Sequence, residues 1–565
     1  MPRFKLATMM TNPGEPAAVS RYDDPAVLAE LGYNGLVVYE TTALSGILGP
    51  DEVADPDLSH FVRSTLDRVS QTVDRVATQS PAMEVYLAYD LLVLGAEAVG
   101  RQAEAFCCQG RPEVLCPGKE AVYEKSLAAL DAMLDRWPQV AGVVLRFGDT
   151  DAARLPHLTG NDIYTPHCPH CANITPDDRV LRVMTAVHER VVQARGKRLI
   201  ARAWNVRPGG LHDDAALAAA VADRLPGDPE DDRFVLSFKV AATDFWRYQP
   251  WNASSLAMGR RPVLYELQCQ REFEGKGALP NYQAGLWRNG QPEAVRLQAG
   301  HDATGQVSGL ADAASRVNFA GVLSWVRGGG WGGPFVRDET WIDANVHAAA
   351  KLADDPQADP AALARAWVAD TLPHALGPAT DGLVQILQTS SEMIRKAFYI
   401  EAFARHRKKP WYPAADWIQD DLLDVAAAVR MIQSLPDDEL DAVVNEKQEA
   451  VQRLAAMEQA LLAVPATSTE GRSPKLQKLM NTLYYSMSLV ETLRDLLAGI
   501  IACRRYRLAP TPELANQTRA RLLSAQTHWN HHTQRFGQTS GAASPFREQH
   551  FWELTQEMLV EIETR

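Results

Sequence analysis

The sequence predicts a (β/α)8 TIM barrel over residues 1–335 followed by an all-α C-terminal domain over residues 336–565, on three observations. First, a short apolar run with a polar exit, followed by a helical segment, recurs eight times before about residue 330. Strand-helix alternation of this kind implies a parallel sheet, and a count of eight implies closure into a barrel. Second, no Gly-x-Gly-x-x-Gly follows the first run, which weakens a dinucleotide-binding sheet. Third, beyond the Gly-rich stretch at 328–333 the composition turns to long segments rich in Ala, Leu, Glu and Arg, the pattern of amphipathic helices.

The eight runs are Phe4–Thr11, Gly35–Glu40, Glu84–Asp90, Gly142–Asp149, Arg198–Asn205, Phe234–Val240, Val263–Gln270 and Gly321–Trp325. Helical periodicity fills the intervals at Asp24–Leu31, Pro56–Gln79, Lys119–Arg136, Asp177–Arg195, Asp213–Leu225 and Arg288–Ala299. In the C-terminal part the expected helices are Trp341–Leu352, Pro360–Asp370, Thr380–Ile400, Trp417–Gln433, Asp437–Leu462, Pro474–Cys503 and Pro512–Phe536. The apolar stretch 479–503 is interrupted by Glu491, Arg494 and Asp495, which mark it as helical core rather than a membrane span.

Catalytic groups in such barrels come from the C-terminal ends of strands. Those ends are polar here: Glu40, Asp90, Arg146 to Asp149, Arg202-Ala-Trp-Asn205, Lys239, Glu266 to Glu272 and Trp325-Val-Arg327. The seventh run is the most informative, because it starts as core filler and ends as a file of acids and amides. Side chains alternate along a strand, so Glu266, Gln268 and Gln270 share a face. Burying a carboxylate is costly unless it is paired or used, so this file marks an active-site wall.

Glycoside hydrolysis needs two carboxyl groups, one to protonate the leaving oxygen and one to activate water or attack. Glu266 is expected to be one, and its partner is expected among Asp149, Glu272 and Asp338, in that order. Arg146, Arg202, Lys239 and Arg327 place fixed positive charge on the same rim; each alone reads as an ion pair, and together they suit an anionic ligand. Asp90, Gln268, Trp204 and Trp325 complete the expected binding set, the aromatics as stacking faces for sugar rings, with barrel packing as their competing role.

The formal charge of −13, from 57 Lys+Arg against 70 Asp+Glu, gives no general attraction to nucleic acid or anionic membrane. No signal-like or membrane-length apolar segment is apparent, so a soluble, cytoplasmic protein acting on an oligosaccharide is expected, with a homodimer through the helical domain as a further expectation. A Gly-x-Ser-x-Gly elbow and a Walker loop are both absent. The seven cysteines, at 107, 108, 116, 168, 171, 269 and 503, do not form a disulfide framework for a chain of this size, and reduced thiols are expected. His167-Cys-Pro-His-Cys171 and Cys107-Cys108 with Cys116 fall in neighbouring rim loops, where a tetrahedral zinc site is one outcome. A lone Cys-x-x-Cys is a weak signal and buried thiols are the commoner outcome. No metal or cofactor is therefore expected in the mechanism, and structural zinc near Cys168 and Cys171 is kept as a minor reading.

Three stretches resemble the α-glucuronidases of glycoside hydrolase family 67. They are Phe238-Lys239 through Thr243-Asp244-Phe245; Glu266-Leu-Gln-Cys-Gln-Arg-Glu272, similar to that family's Glu-Phe-Gln-x-Thr-Gln-Glu; and Asp343-Ala-Asn-Val through Ala364-Arg-Ala-Trp-Val-Ala-Asp370. Related barrel proteins suggest the neighbourhoods Leu145-Arg-Phe-Gly-Asp149 and His167 to Cys171 as well. The resemblance covers most of residues 140–370. Two departures stand out: the first strand begins near residue 4 instead of after a β-domain, and Tyr248-Gln249-Pro250 stands where the family has Arg-Glu-Pro. What the resemblance implies is an exo-acting, inverting hydrolase that removes a terminal uronic sugar. The rival readings are a catalytically lapsed carbohydrate-binding barrel, motivated by Gln249, and a uronide lyase.

Overall fold

A computed structural model of the chain describes residues 3–10, 20–147, 155–161, 163–205, 209–241, 243–297, 307–328, 339–373, 375, 377–406, 417–419, 422–465, 473–537 and 547–564. Eight parallel strands close into a barrel in chain order: β1 (Phe4–Met10), β2 (Gly35–Val38), β3 (Glu84–Asp90), β4 (Gly142–Arg146), β5 (Arg198–Arg202), β6 (Phe234–Lys239), β7 (Pro262–Gln268) and β8 (Asn318–Gly328). The expected runs coincide with these strands. β8 is longer at both ends than its run, because its pairing with β7 begins at Asn318 and its pairing with β1 continues to Gly328.

Strand alternation decides what the barrel holds. Val37, Ala88, Val144, Ile200, Val235, Leu264 and Leu323 point inward and form one apolar cluster with Phe4 and Leu6. Two residues further along the same faces come Tyr39, Asp90, Arg146, Arg202, Ser237, Glu266 and Trp325. A polar layer therefore lies directly above an apolar one, toward the C-terminal mouth. The intervening residues, such as Leu87, Leu145, Leu199, Phe238 and Tyr265, face outward into the core shared with the helices.

The seam between β8 and β1 depends on glycine. Gly321 has φ 140°, and a Cβ there would lie 1.8 Å from the Phe4 carbonyl oxygen; Gly328 has φ 81°, and a Cβ there would lie 1.7 Å from the Met10 oxygen. Any side chain would force the two strands apart, so the barrel closes only because these positions carry none.

Helix α1 (Pro56–Gln79) starts where Asp55 caps the Asp57 amide and Pro56 fits the first turn. Its buried Val62, Leu66, Val69, Val73 and Val76 follow the helical repeat and face the barrel. Helix α2 (Pro176–His188) passes into a π-turn at Glu189–Gln193, where one continuous helix was expected. The expected segment Arg288–Ala299 is replaced by Ala284–Asn289 and Pro292–Leu297, with Leu310–Arg316 following. Helix α3 (Thr340–Asp354) packs on β8 and β1, in the position of an eighth barrel helix.

The remaining described residues are mainly helical, with α4 (Pro378–Phe398), α5 (Leu440–Leu462), α6 (Pro474–Leu508) and α7 (Pro512–Phe536) packed in succession, and with Phe551–Thr564, which was not expected, against α7. One detail departs from all-α: Ile418–Gln419, Leu422–Asp424 and Arg547–Gln549 form a small three-stranded sheet. Asp424 caps the Ala427 amide, so the helix expected from Trp417 begins at Val425. Among the described residues no helix is long and apolar enough to cross a membrane.

Candidate active site

Glu266 projects from β7 into the barrel mouth and is fully buried. Arg202, two strands away on β5, grips it with two parallel bonds, Nε to Oε1 and Nη2 to Oε2, both 2.8 Å. Ser237 Oγ adds a bond to Oε1 at 3.0 Å and Trp325 Nε1 one to Oε2 at 3.1 Å. Burial alone would raise the pKa of this carboxyl, but the Arg202 guanidinium outweighs it and, with Lys239 and Ser237, holds it below the usual carboxylate range. Glu266 is thus ionised, saturated with donors and fixed in place.

Lys239 on β6 stands in register beside Glu266. Its ammonium pairs with Asp244 at 2.6 Å and lies 3.4 Å from the Trp204 ring centroid, 4.7 Å from Phe245 and 4.8 Å from Trp325. Three aromatic faces and one acid enclose the charge. Trp204 is itself oriented by a bond from Nε1 to the Thr243 carbonyl at 2.5 Å. Gln249 accepts a bond from Thr243 Oγ1 at 2.8 Å, which gives the amide a structural partner.

A second cluster occupies the opposite side. Arg146 on β4 grips Asp90 on β3 at 2.5 and 2.6 Å and also donates to the Tyr39 hydroxyl. β3 and β7 are four strands apart in a ring of eight, so Asp90 and Glu266 face each other across the mouth. An opening of about 250 Å³ lies between β2 and α1, lined by Leu36, Val38, Glu40, Arg68, Gln71 and Arg75, with Tyr39 at its edge. Arg327 pairs with Glu339 at 3.0 Å and donates to Gln270 Oε1 at 3.3 Å; Glu339 also accepts from Ser20 Oγ and the Arg21 amide, which ties the start of α3 to residues 20–21.

Each of the four rim cations anticipated from the sequence is therefore matched by a protein carboxylate: Asp90, Glu266, Asp244 and Glu339. Of the expected catalytic acids, Glu272 is buried just beyond β7 with its amide bonded to Gln268 Oε1 at 3.0 Å. Asp149 and Asp338 lie outside the described residues.

No family model matches the chain, and no curated protein matches it by sequence. Among solved structures the chain is similar to a GH138 enzyme targeting pectin rhamnogalacturonan II, with TM-score 0.55 and 10% identity over 100% of this chain and 67% of that one. It also aligns with a mutant of the Thermobaculum terrenum O-GlcNAc hydrolase, with TM-score 0.44 and 9% identity over 99% of this chain and 94% of that one. At these identities the likeness is one of fold.

Several features of the mouth were not read from the sequence. Among the described residues, both side-chain polar atoms of Asn205, together with Nε2 of Gln268 and of Gln270, are buried without a hydrogen-bond partner. Such atoms are uncommon and mark places where a ligand or water completes the bonding. Gln268, the last residue of β7, belongs to the expected binding set; Asn205 follows the end of β5, where position in the repeat was the available signal. Asp213, in the loop after β5, is raised to about 6 by burial, against bonds from the Gly209 and Gly210 amides. It adjoins His212, whose ring lies 6.3 Å from Trp204. Loop residues after strands do not reveal their depth in a sequence. The described residues that group as metal ligands are Cys108, Cys116, Cys168 and Cys171, in the loops after β3 and β4.

Proposed function

We propose that the chain is an exo-acting glycoside hydrolase working at the C-terminal mouth of the barrel. The observation that carries this reading is Glu266: an ionised carboxylate held by four donors, opposite a second acid, Asp90, and among Trp204, Trp325 and unsatisfied amides. Aromatic faces and amide donors suit sugar rings and their hydroxyls. A carboxylate locked in its ionised form and saturated with donors neither gives nor takes a proton readily, so Glu266 is assigned the charge-stabilising half of the reaction. The proton for the leaving oxygen is assigned to another acid, with Asp149, Glu272 and Asp338 the first candidates and Asp213 added by its proton affinity near neutral pH. Inversion is the expected stereochemistry, on the α-glucuronidase resemblance.

A terminal uronic sugar is the finer reading of the substrate, supported by that resemblance and by the density of cations at the mouth. A specific observation favours a neutral sugar instead: every one of those cations already carries a protein carboxylate, and displacing one would strand a buried charge. Aryl glycosides and reduced oligosaccharides of both classes, assayed side by side, separate the two. Proton NMR of the first-formed anomer assigns inversion or retention. Ligand binding without turnover on either class would replace hydrolysis by a carbohydrate-binding role.

A further inference from the structure

The loops that follow β3 and β4 bring four cysteines from two distant stretches of chain to one point. Cys108 ends the first strand of a small hairpin formed by Cys107–Cys108 and Arg111–Leu115, Cys116 follows the hairpin, and Cys168 and Cys171 flank Pro-His in a short helical turn at Pro169–Ala172. The sulfur atoms lie 3.9 Å apart for Cys108 and Cys171, 3.8 Å for Cys116 and Cys168, and 3.6 Å for Cys168 and Cys171. All four fall within 4.8 Å of one another. Four thiolates at about 2.3 Å from a central zinc ion stand about 3.8 Å apart along each tetrahedral edge. A disulfide would bring a pair to about 2 Å, and none of these pairs approaches that.

The surroundings are those of a ligand set rather than of a hydrophobic core. All four cysteines are buried, yet they form a cluster of their own whose apolar neighbour is the half-buried Val114. The backbone amides of His167 and Cys168 donate to Cys171 Sγ at 3.2 and 3.4 Å, the type of bond that steadies a thiolate. Gly118, two residues past Cys116, has the His170 ring so close that a Cβ would lie 2.3 Å from Cδ2, so the two loops interlock at the site. Cys107 is adjacent in sequence but stands apart, its thiol donating to the Pro112 carbonyl at 3.0 Å.

We propose that Cys108, Cys116, Cys168 and Cys171 bind one zinc ion in a closed, structural tetrahedral site. Binding releases the four thiol protons to solvent and leaves no open coordination position for a substrate. The ion joins the excursion after β3 to the excursion after β4, which also meet through the antiparallel pairing of Val93–Gly95 with Leu158–Gly160, a bond from Asn161 to the Leu115 carbonyl and the packing of His170 on Gly118. Asp90 and Arg146 end the two strands from which these excursions leave, so the staple steadies one wall of the barrel mouth.

Metal analysis of the full chain, purified under reducing conditions without chelator, tests this directly. One zinc per chain is expected, released stoichiometrically when an organomercurial titrates the thiols. Cobalt exchanged into the site is expected to show sulfur-to-cobalt charge-transfer bands and the strong visible bands of a tetrahedral thiolate complex. The Cys168→Ser, Cys171→Ser double variant should lose the metal, and Cys107→Ser should keep it. Full-length wild-type protein that carries no stoichiometric metal and stays silent on cobalt addition overturns the proposal, as does a disulfide between any two of the four in peptide mapping of unreduced protein. Iron in place of zinc overturns the assignment of the ion. None of these readouts depends on glycosidase activity.

Discussion

Glu266 and Glu274 lie on and just after β7, both fully buried and both held below the usual carboxylate range by arginine against the effect of burial. Their partners differ. Glu266 takes its donors from β5, β6 and β8, all within the barrel wall. Glu274 takes Arg271 from its own loop, Arg247 from the loop after β6, Asn281, and the Tyr399 hydroxyl from beyond α4. Arg247 also reaches the Ser391 carbonyl on α4. One glutamate is set in the floor of the mouth among aromatic faces; the other fastens two rim loops beneath the helical region. An ionised buried glutamate therefore identifies a site only when its donors and neighbours are named with it.

The largest expected effect is on turnover. Per folded molecule, Glu266→Gln should lower hydrolysis of the best substrate by roughly 10²–10⁴-fold while retaining ligand binding, since it removes a group that works on charge in the transition state; it also strands the buried Arg202 and lowers stability. Near-normal turnover would take Glu266 out of the mechanism. Glu274→Gln sharpens the contrast: it leaves Arg247 and Arg271 without their shared carboxylate, and should cost about 3–5 kcal/mol in denaturant unfolding. Activity per folded molecule should stay near wild type, and a drop as deep as that of Glu266→Gln would erase the distinction drawn between the two.

Lys239→Met is expected to have a smaller and more selective effect. If the substrate is a uronide, kcat/KM for uronides should fall about 10-fold or more beyond any loss on neutral glycosides, within the cost of removing one partner of a buried charge pair. Equal losses would assign Lys239 to Asp244 alone. The smallest effect is in the pH dependence of stability. A carboxyl whose folded pKa is depressed contributes stability that is fully present above its unfolded value, near 4.3, and lost as the pH falls toward the folded value. Thermal stability should therefore be insensitive to Glu274 titration above about pH 5 and decline in acid, and Glu274→Gln should flatten part of that acid slope.

The barrel was legible in the sequence because eight parallel strands buried on both faces read as eight apolar runs, and the polar exits marked the mouth. Glu266 and Gln268 could be placed there from period-2 alternation, and Arg202 and Lys239 from their positions at strand ends. The pairing of each cation was not legible, because Asp90 and Arg146 meet across neighbouring strands, Arg202 and Glu266 across the barrel interior, and Lys239 and Asp244 through a loop turn, and sequence spacing does not say which side chains point at one another. The cysteine cluster was half visible: two neighbouring loops were identified, but which sulfurs converge depends on hairpin geometry at 107–115 that spacing does not encode. The short sheet at 418–424 and 547–549 escaped for a similar reason, since its strands are two or three residues long and one comes from the far end of the chain.

The glycine-dependent seam between β1 and β8 also bears on how the chain is made. β1 can acquire its second neighbour only after residues 318–328 have been synthesised, roughly 15–60 s later at 5–20 residues per second. Through that interval the Phe4–Met10 edge has unsatisfied amides and carbonyls and apolar side chains on both faces, a template for pairing with other nascent chains. The loop carrying Glu274 waits longer still, until Tyr399 has emerged. Recombinant yield is accordingly expected to depend on chaperone supply and slow expression more than on the intrinsic stability of the finished fold, with truncations ending before residue 328 accumulating as aggregates.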